Sequence, residues 1–224
     1  MEANLDWLVE KLAALADCYV LIDMPGQVEL FTHHPSVRNV LQALQSVHNH
    51  RLVAVHLVDA HHCADAAKFI SVLLVTLSTM LQLEMPQINL LSKVDLIEAY
   101  GDLDFNLDFY TDVLDPSRLL PFIEAEQGGA FARRHAKLNE AVCELIDDFG
   151  LVHFGTLDIA SRESVSHVLR SCDKAVGYIG GAGEGPLPGV HSLDYEGDEE
   201  RVGAVQERYM READLSELLG PGAG

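Results

Sequence analysis

At 224 residues with a hydrophobic fraction of 48%, the chain is long enough to bury one sizeable core. Its formal net charge of -20 argues against a binder of phosphate backbones, which needs clustered Lys and Arg, so direct nucleic-acid contact is not expected. The four cysteines, Cys18, Cys63, Cys143 and Cys172, form no C-x-x-C pair, so neither a zinc ribbon nor a disulfide framework is expected, and a reducing cytosol or nucleus fits best.

No basic segment followed by an apolar core and a small-residue cleavage site opens the chain, so no secretory signal is expected. Leu5, Leu8, Val9, Leu12 and Leu15 recur at helical spacing and predict an amphipathic helix, with Asn4 or Asp6 as caps. Tyr19 to Ile22 are apolar without helical spacing and read as a buried parallel strand. That places Asp23 at a strand's carboxyl end, the edge where ligands bind in open α/β sheets. On its own, Pro25-Gly26 reads equally well as a turn. An acid there, with a glutamine shortly after it, is also what a nucleotide hydrolase uses to hold Mg²⁺ and orient water.

Pro35 and Ser36 start a second helical segment, and residues 51 to 60 read as a buried strand ending in Asp59. Residues 65 to 83 are expected to be a helix. Within them, "FISVLLVTLSTMLQL" is apolar but shorter than the roughly 20 residues needed to span a bilayer, so a helix packed on a sheet is expected and no membrane contact. Pro86 precedes a strand in "QINLLSKVDL", helices are expected from about 108 to 149, and a fourth strand lies in "GLVHFGTLDI" before a helix from about Ser161 to Gly177. Alternating strands and helices predict an α/β fold with a doubly wound parallel sheet. From Gly180 the chain turns Gly-, Pro- and acid-rich and reads as a linker over 180–200, followed by a charged helical tail over 201–224.

Ser92-Lys93-Val94-Asp95 has the form [N/T/S]-K-x-D directly after a predicted strand. An Asp carboxylate can accept two hydrogen bonds from the N1–H and N2–H₂ edge of guanine while a Lys stem covers the base; adenine offers no such donor pair. In chain order behind D-x-P-G-Q, this is a second nucleotide signal.

The order "LIDMPGQVELFTHH", "HLVDAHHCADAAKFISVLL", "PQINLLSKVDLI" and "VQERYM" resembles the GPN-loop GTPases over most of residues 1 to 179. The resemblance implies a P-loop NTPase-like fold with a helical insertion, here about 105–149. It also implies GTP and GDP as ligands with Mg²⁺, and a dimer with another GPN-loop protomer. RNA polymerase subunits or assembly factors would be further partners, with a cytoplasmic location and shuttling to the nucleus. Carried over by residue, Asp23 would lie near Mg²⁺ through water and the Gly26 amide would meet the γ-phosphate. Gln27 would orient the attacking water, helped by Glu29, and Lys93 and Asp95 would read guanine. Thr156 to Ile159 would supply the last loop beside the base.

No glycine begins the G-x-x-x-x-G-K-[ST] pattern that cradles phosphates, and Gly-Pro-Asn is absent. By resemblance both lie ahead of this segment, so Met1 is expected to be a downstream start or to reflect an incomplete gene model, and the sheet to lack its first, P-loop strand. The strands ending at Asp23 and Asp59 would then pair directly, the chain would stay partly molten with exposed apolar surface, or a partner would fill the gap. Loss of nucleotide binding is the alternative reading, which leaves a non-catalytic interaction module. His33, His34, His56, His61 and His62 beside Cys63 invite a metal, but adjacent residues cannot both face one ion from a regular element, and nothing marks Cys63 as an activated nucleophile.

Overall fold

The structure, a computed structural model, describes residues 2–15, 18–100, 103–113, 115–127 and 129–178, with the backbone alone at 98–100, 126–127 and 129–134. The expected linker at 180–200 and tail at 201–224 lie outside the described residues.

Three parallel strands, β1 (Ala54–Asp59), β2 (Gln87–Ser92) and β3 (Gly155–Leu157), form one sheet in the order β1-β2-β3. Parallel neighbours need long crossovers, and helices supply them. Helix α1 (Leu5–Ala13), the short α2 (Glu29–Thr32) and α3 (Pro35–Ser46) precede β1, and α4 (Ala66–Leu83) joins β1 to β2. Between β2 and β3 run α5 (Leu107–Asp112), α6 (Leu120–Gln127) and α7 (Gly129–Phe149), and α8 (Arg162–Ala175) follows β3. The chain is thus α/β with helices packed on a parallel sheet.

Helix α4 is the spine of the core. Asp65 caps it, its Oδ1 accepting from the Lys68 amide at 2.9 Å, and the helix stops where Glu84 turns left-handed at φ 52° ahead of Pro86. Phe69, Leu73 and Leu77 recur at helical spacing and are buried against Val58, Leu91, Tyr110 and Ile146, with the Tyr110 ring edge-on to Phe69 at 5.0 Å. A separate small cluster joins α1 and α3 through Leu12, Val40 and Leu44, with Leu5, Leu8, Val9 and Leu52 around it. The expected amphipathic first helix therefore forms; Asn4 is its cap by position, without a side-chain cap bond.

Side chains alternate across a strand, and the register sorts them: His56, Asn89 and then Val58, Leu91 and Thr156 share the α4 face, while Val55, Ile88 and Leu57, Leu90 and Gly155 share the other. Helix α8 packs on β2 and β3. Gly155 sits so close to Leu90 that an added Cβ would lie 3.0 Å from its Cδ2. On β1 the second face is open, with Val55 44% and Leu57 56% exposed.

The predicted strand at Tyr19–Ile22 does not form. These residues carry no regular structure, Leu21 is 87% exposed, and among the described residues Tyr19 to Gly26 make no backbone–backbone hydrogen bond. An apolar run becomes a strand only where a neighbour satisfies its amides and carbonyls. Among the described residues no strand pairs with the outer edge of β1, so the two runs ending in acids do not pair directly, and apolar side chains of both stay exposed.

Candidate functional site

The carboxyl ends of the three strands form one edge, the place where a parallel α/β sheet binds ligands. Asp59 ends β1 and Ser92 ends β2 directly beside it. Lys93 follows in the left-handed region at φ 60°, and that turn sends the chain into the 3-10 helix Val94–Tyr100. The Lys93 ammonium reaches back to Asp59, Nζ to Oδ2 at 2.5 Å, while Asp59 Oδ1 accepts from the His61 amide at 3.0 Å. Ser92 Oγ adds a second tie, donating to the Val58 carbonyl at 3.2 Å. Partial burial works to raise the Asp59 carboxyl, but the bonds from Lys93 and the His61 amide, with the Lys93 charge, outweigh it and hold it below the ordinary carboxylate range. Asp95 is exposed at the same edge, two residues beyond Lys93.

Thr156 is not in a loop. It lies within β3, half-buried and in register with Leu91, so the segment that reaches the edge is Asp158–Ser161. That loop is built locally: Asp158 Oδ1 accepts from the Ala160 amide at 2.8 Å, and the Asp158 amide donates to Ser164 Oγ at 3.0 Å. Ser161 then caps α8 through the Ser164 amide.

Asp23, Gly26, Gln27 and Glu29 lie on the exposed segment that leads into α2, where Glu29 is the first helical residue. A Cβ added at Gly26 would meet nothing within 4 Å, so no protein atom demands glycine there. The segment still comes toward the strand edge, because Val28 lines a groove of about 520 Å³ along the free edge of β1 together with His56, Asp59, Asp65 and Lys68. Lys68 in that wall pairs with Asp65 at 2.9 Å.

Asp95 offers an exposed carboxylate and Lys93 a four-carbon stem half open to solvent. No backbone cradle of the G-x-x-x-x-G-K-[ST] kind exists in these 224 residues. Among the described residues no group of three or more His, Cys, Asp or Glu is arranged to hold a metal ion. Mg²⁺ bound with a nucleotide needs no such cage, since water and phosphates supply most of its ligands, and Asp23 is exposed and open to that role. His61 and His62 stack on one another with ring centroids 5.2 Å apart. Cys63 is buried and its thiol is pushed up to about 12 by burial, with the Asp59 charge adding to the rise, which removes it as a nucleophile near neutral pH.

In the sequence Asp59 reads as an acid at a strand's end, near the histidines that invite a metal, with no link to Lys93. The signal was present in the sequence; its partner Lys93 is 34 positions away, and only the β1–β2 register joins them.

A family profile described as a conserved hypothetical ATP binding protein matches residues 1–178. GPN-loop GTPase 2 of Danio rerio is 56% identical over 181 residues, covering 81% of this chain and 57% of its own length. GPN-loop GTPase QQT1 of Arabidopsis thaliana is 44% identical over 221 residues, covering 97% and 73%. GPN-loop GTPase 2 of Saccharomyces cerevisiae is 37% identical over 187 residues, covering 82% and 54%. The chain thus spans little more than half the length of several relatives it matches, and the profile's adenine description differs from the relatives' guanine names. With identities of 37–56% carried over most of its residues, the chain belongs to the GPN-loop GTPase family.

Proposed function

We propose that this chain carries the guanine-reading part of a P-loop NTPase-like protein that binds and hydrolyses GTP with Mg²⁺. The observation that carries the reading is the Ser92-Lys93-Val94-Asp95 run at the carboxyl end of β2, on the ligand edge of a parallel sheet. Asp95 accepts from N1–H and N2–H₂ of guanine, an edge that adenine lacks, and this favours the relatives' GTPase names over the profile's ATP description. The Lys93 stem supports the base. By family resemblance, Asp23 holds Mg²⁺ through water, the Gly26 amide faces the γ-phosphate, and Gln27 with Glu29 orients the attacking water. Thr156 supports the Asp158–Ser161 loop from within β3.

The phosphate cradle is the missing part, and it supplies much of the charge stabilisation in phosphoryl transfer. GTP and GDP binding is therefore measured by calorimetry with Mg²⁺ on this chain and on a version extended through the upstream reading frame. The extended form is expected to bind and the 224-residue chain to bind far more weakly, with Asp95→Ala abolishing binding. If neither form binds, the guanine reading fails.

A second reading, a non-catalytic interaction module, is favoured by the exposed apolar residues of Tyr19–Ile22 and by Val55 and Leu57 on the open face of β1. Partners rest on the resemblance alone: another GPN-loop protomer and RNA polymerase subunits or assembly factors, in a cytoplasmic protein that shuttles to the nucleus and acts in polymerase assembly and nuclear import. Mass spectrometry of complexes purified on the tagged protein tests this, and recovery of neither a GPN-loop protomer nor polymerase subunits counts against it.

A further inference from the structure

We infer that Asp59 is a positioning residue of the guanine site, holding Lys93 stretched across the ends of β1 and β2 so that its stem is a ready platform for the base. The inference rests on the reading of Lys93 and Asp95 given above and extends it to a residue that no motif marks.

The β1–β2 register sets Asp59 opposite Ser92, one residue before Lys93. Lys93 then takes a left-handed backbone, uncommon for a residue with a Cβ, which re-aims its side chain. Its ammonium meets Asp59 Oδ2 at 2.5 Å. The other carboxylate oxygen is fixed by the His61 amide at 3.0 Å, so the acid is itself oriented rather than swinging. The Ser92 hydroxyl, bonded to the Val58 carbonyl, ties the same two strand ends a second time. With its head anchored on β1 and its root on β2, the stem of Lys93 spans the gap between them. The side chain remains 55% exposed, leaving room for a planar ring to lie against it.

A free lysine has several rotatable bonds, and ordering them on binding weakens affinity. Asp59 makes that loss before the base arrives. The pair is largely solvated, so its contribution to folding is small. Its effect belongs to binding.

The test compares wild type with Asp59→Asn in the version extended through the upstream reading frame. Asparagine keeps an acceptor for the His61 amide and loses only the charge. GDP affinity, measured by calorimetry with Mg²⁺, is expected to fall about fivefold, the scale of one exposed ion pair. The urea midpoint is expected to stay unchanged, and ¹³C relaxation of the Lys93 Cε without nucleotide is expected to show a more mobile side chain. If Asp59→Asn proves unstable, Asp59→Ser, which also accepts from the His61 amide, is measured in the same way. Unchanged or tighter GDP binding overturns the inference, as does weaker binding with Lys93 mobility unaltered. Absence of GDP binding by wild type overturns the guanine reading and this inference with it, whereas the other outcomes leave the guanine reading standing.

Discussion

His56 occupies β1 opposite Asn89 of β2, half-buried, with its Nδ1 unpartnered. Burial lowers its pKa, and the Asn89 hydrogen bond only partly offsets this. The unfolded chain, with a His pKa near 6.5, therefore binds the proton more readily than the folded one. Stability from this group is complete above about pH 6.5 and is lost as pH falls from there toward the lowered folded value. His167, lowered by burial and by Arg170, adds in the same direction. Urea denaturation is expected to give a lower midpoint at pH 5.5 than at pH 7.5, with the difference reduced in His56→Gln; an unchanged difference in that variant contradicts the assignment. At this scale the placement of Lys93 and Asp95 directly after a strand was legible in the sequence, because the apolar run before them marks its own end. The pairing of Lys93 with Asp59 was not, because it depends on strand register.

Elements with internal signals were read closely. Pro35 at the first turn announced α3, and the long apolar stretch of residues 69 to 83 announced α4; the Asp65 cap that fixes the start of α4 is visible only in the structure. Asp65→Ala removes the acceptor for the Lys68 amide and the Lys68 ion pair, and is expected to cost about 1 kcal/mol in urea denaturation. The run Tyr19–Ile22 has the composition of a strand but no ladder, since pairing is a property of two segments and the sequence describes one at a time. Without backbone bonds to the described residues, it is the segment expected to open first to protease. Limited chymotrypsin digestion should cut after Tyr19 or Leu21 before it cuts within α4, and protection of both bonds at low enzyme would show that the run is paired.

At the scale of the molecule, a parallel sheet brings motifs far apart in the chain to one edge. Asp59 ends β1, Lys93 and Asp95 follow β2 and the Asp158–Ser161 loop follows β3, so all lie on the same edge of the sheet. The alternation of strands and helices made this edge legible; the open side of β1 was less so, because an uncovered face is a relation between elements. The Asp23–Gln27 segment runs into Val28, which lines the groove beside β1 with Asp59. The central claim is that Asp95 reads guanine, against a family description that speaks of ATP. Titration of GDP, IDP and ADP into the version extended through the upstream reading frame with Mg²⁺, repeated with Asp95→Ala, tests it most directly. Affinity should fall from GDP to IDP, which lacks the N2 amino group, and again to ADP, and the GDP binding should be lost in the variant. ADP bound as tightly as GDP, or an order that survives Asp95→Ala, would contradict it.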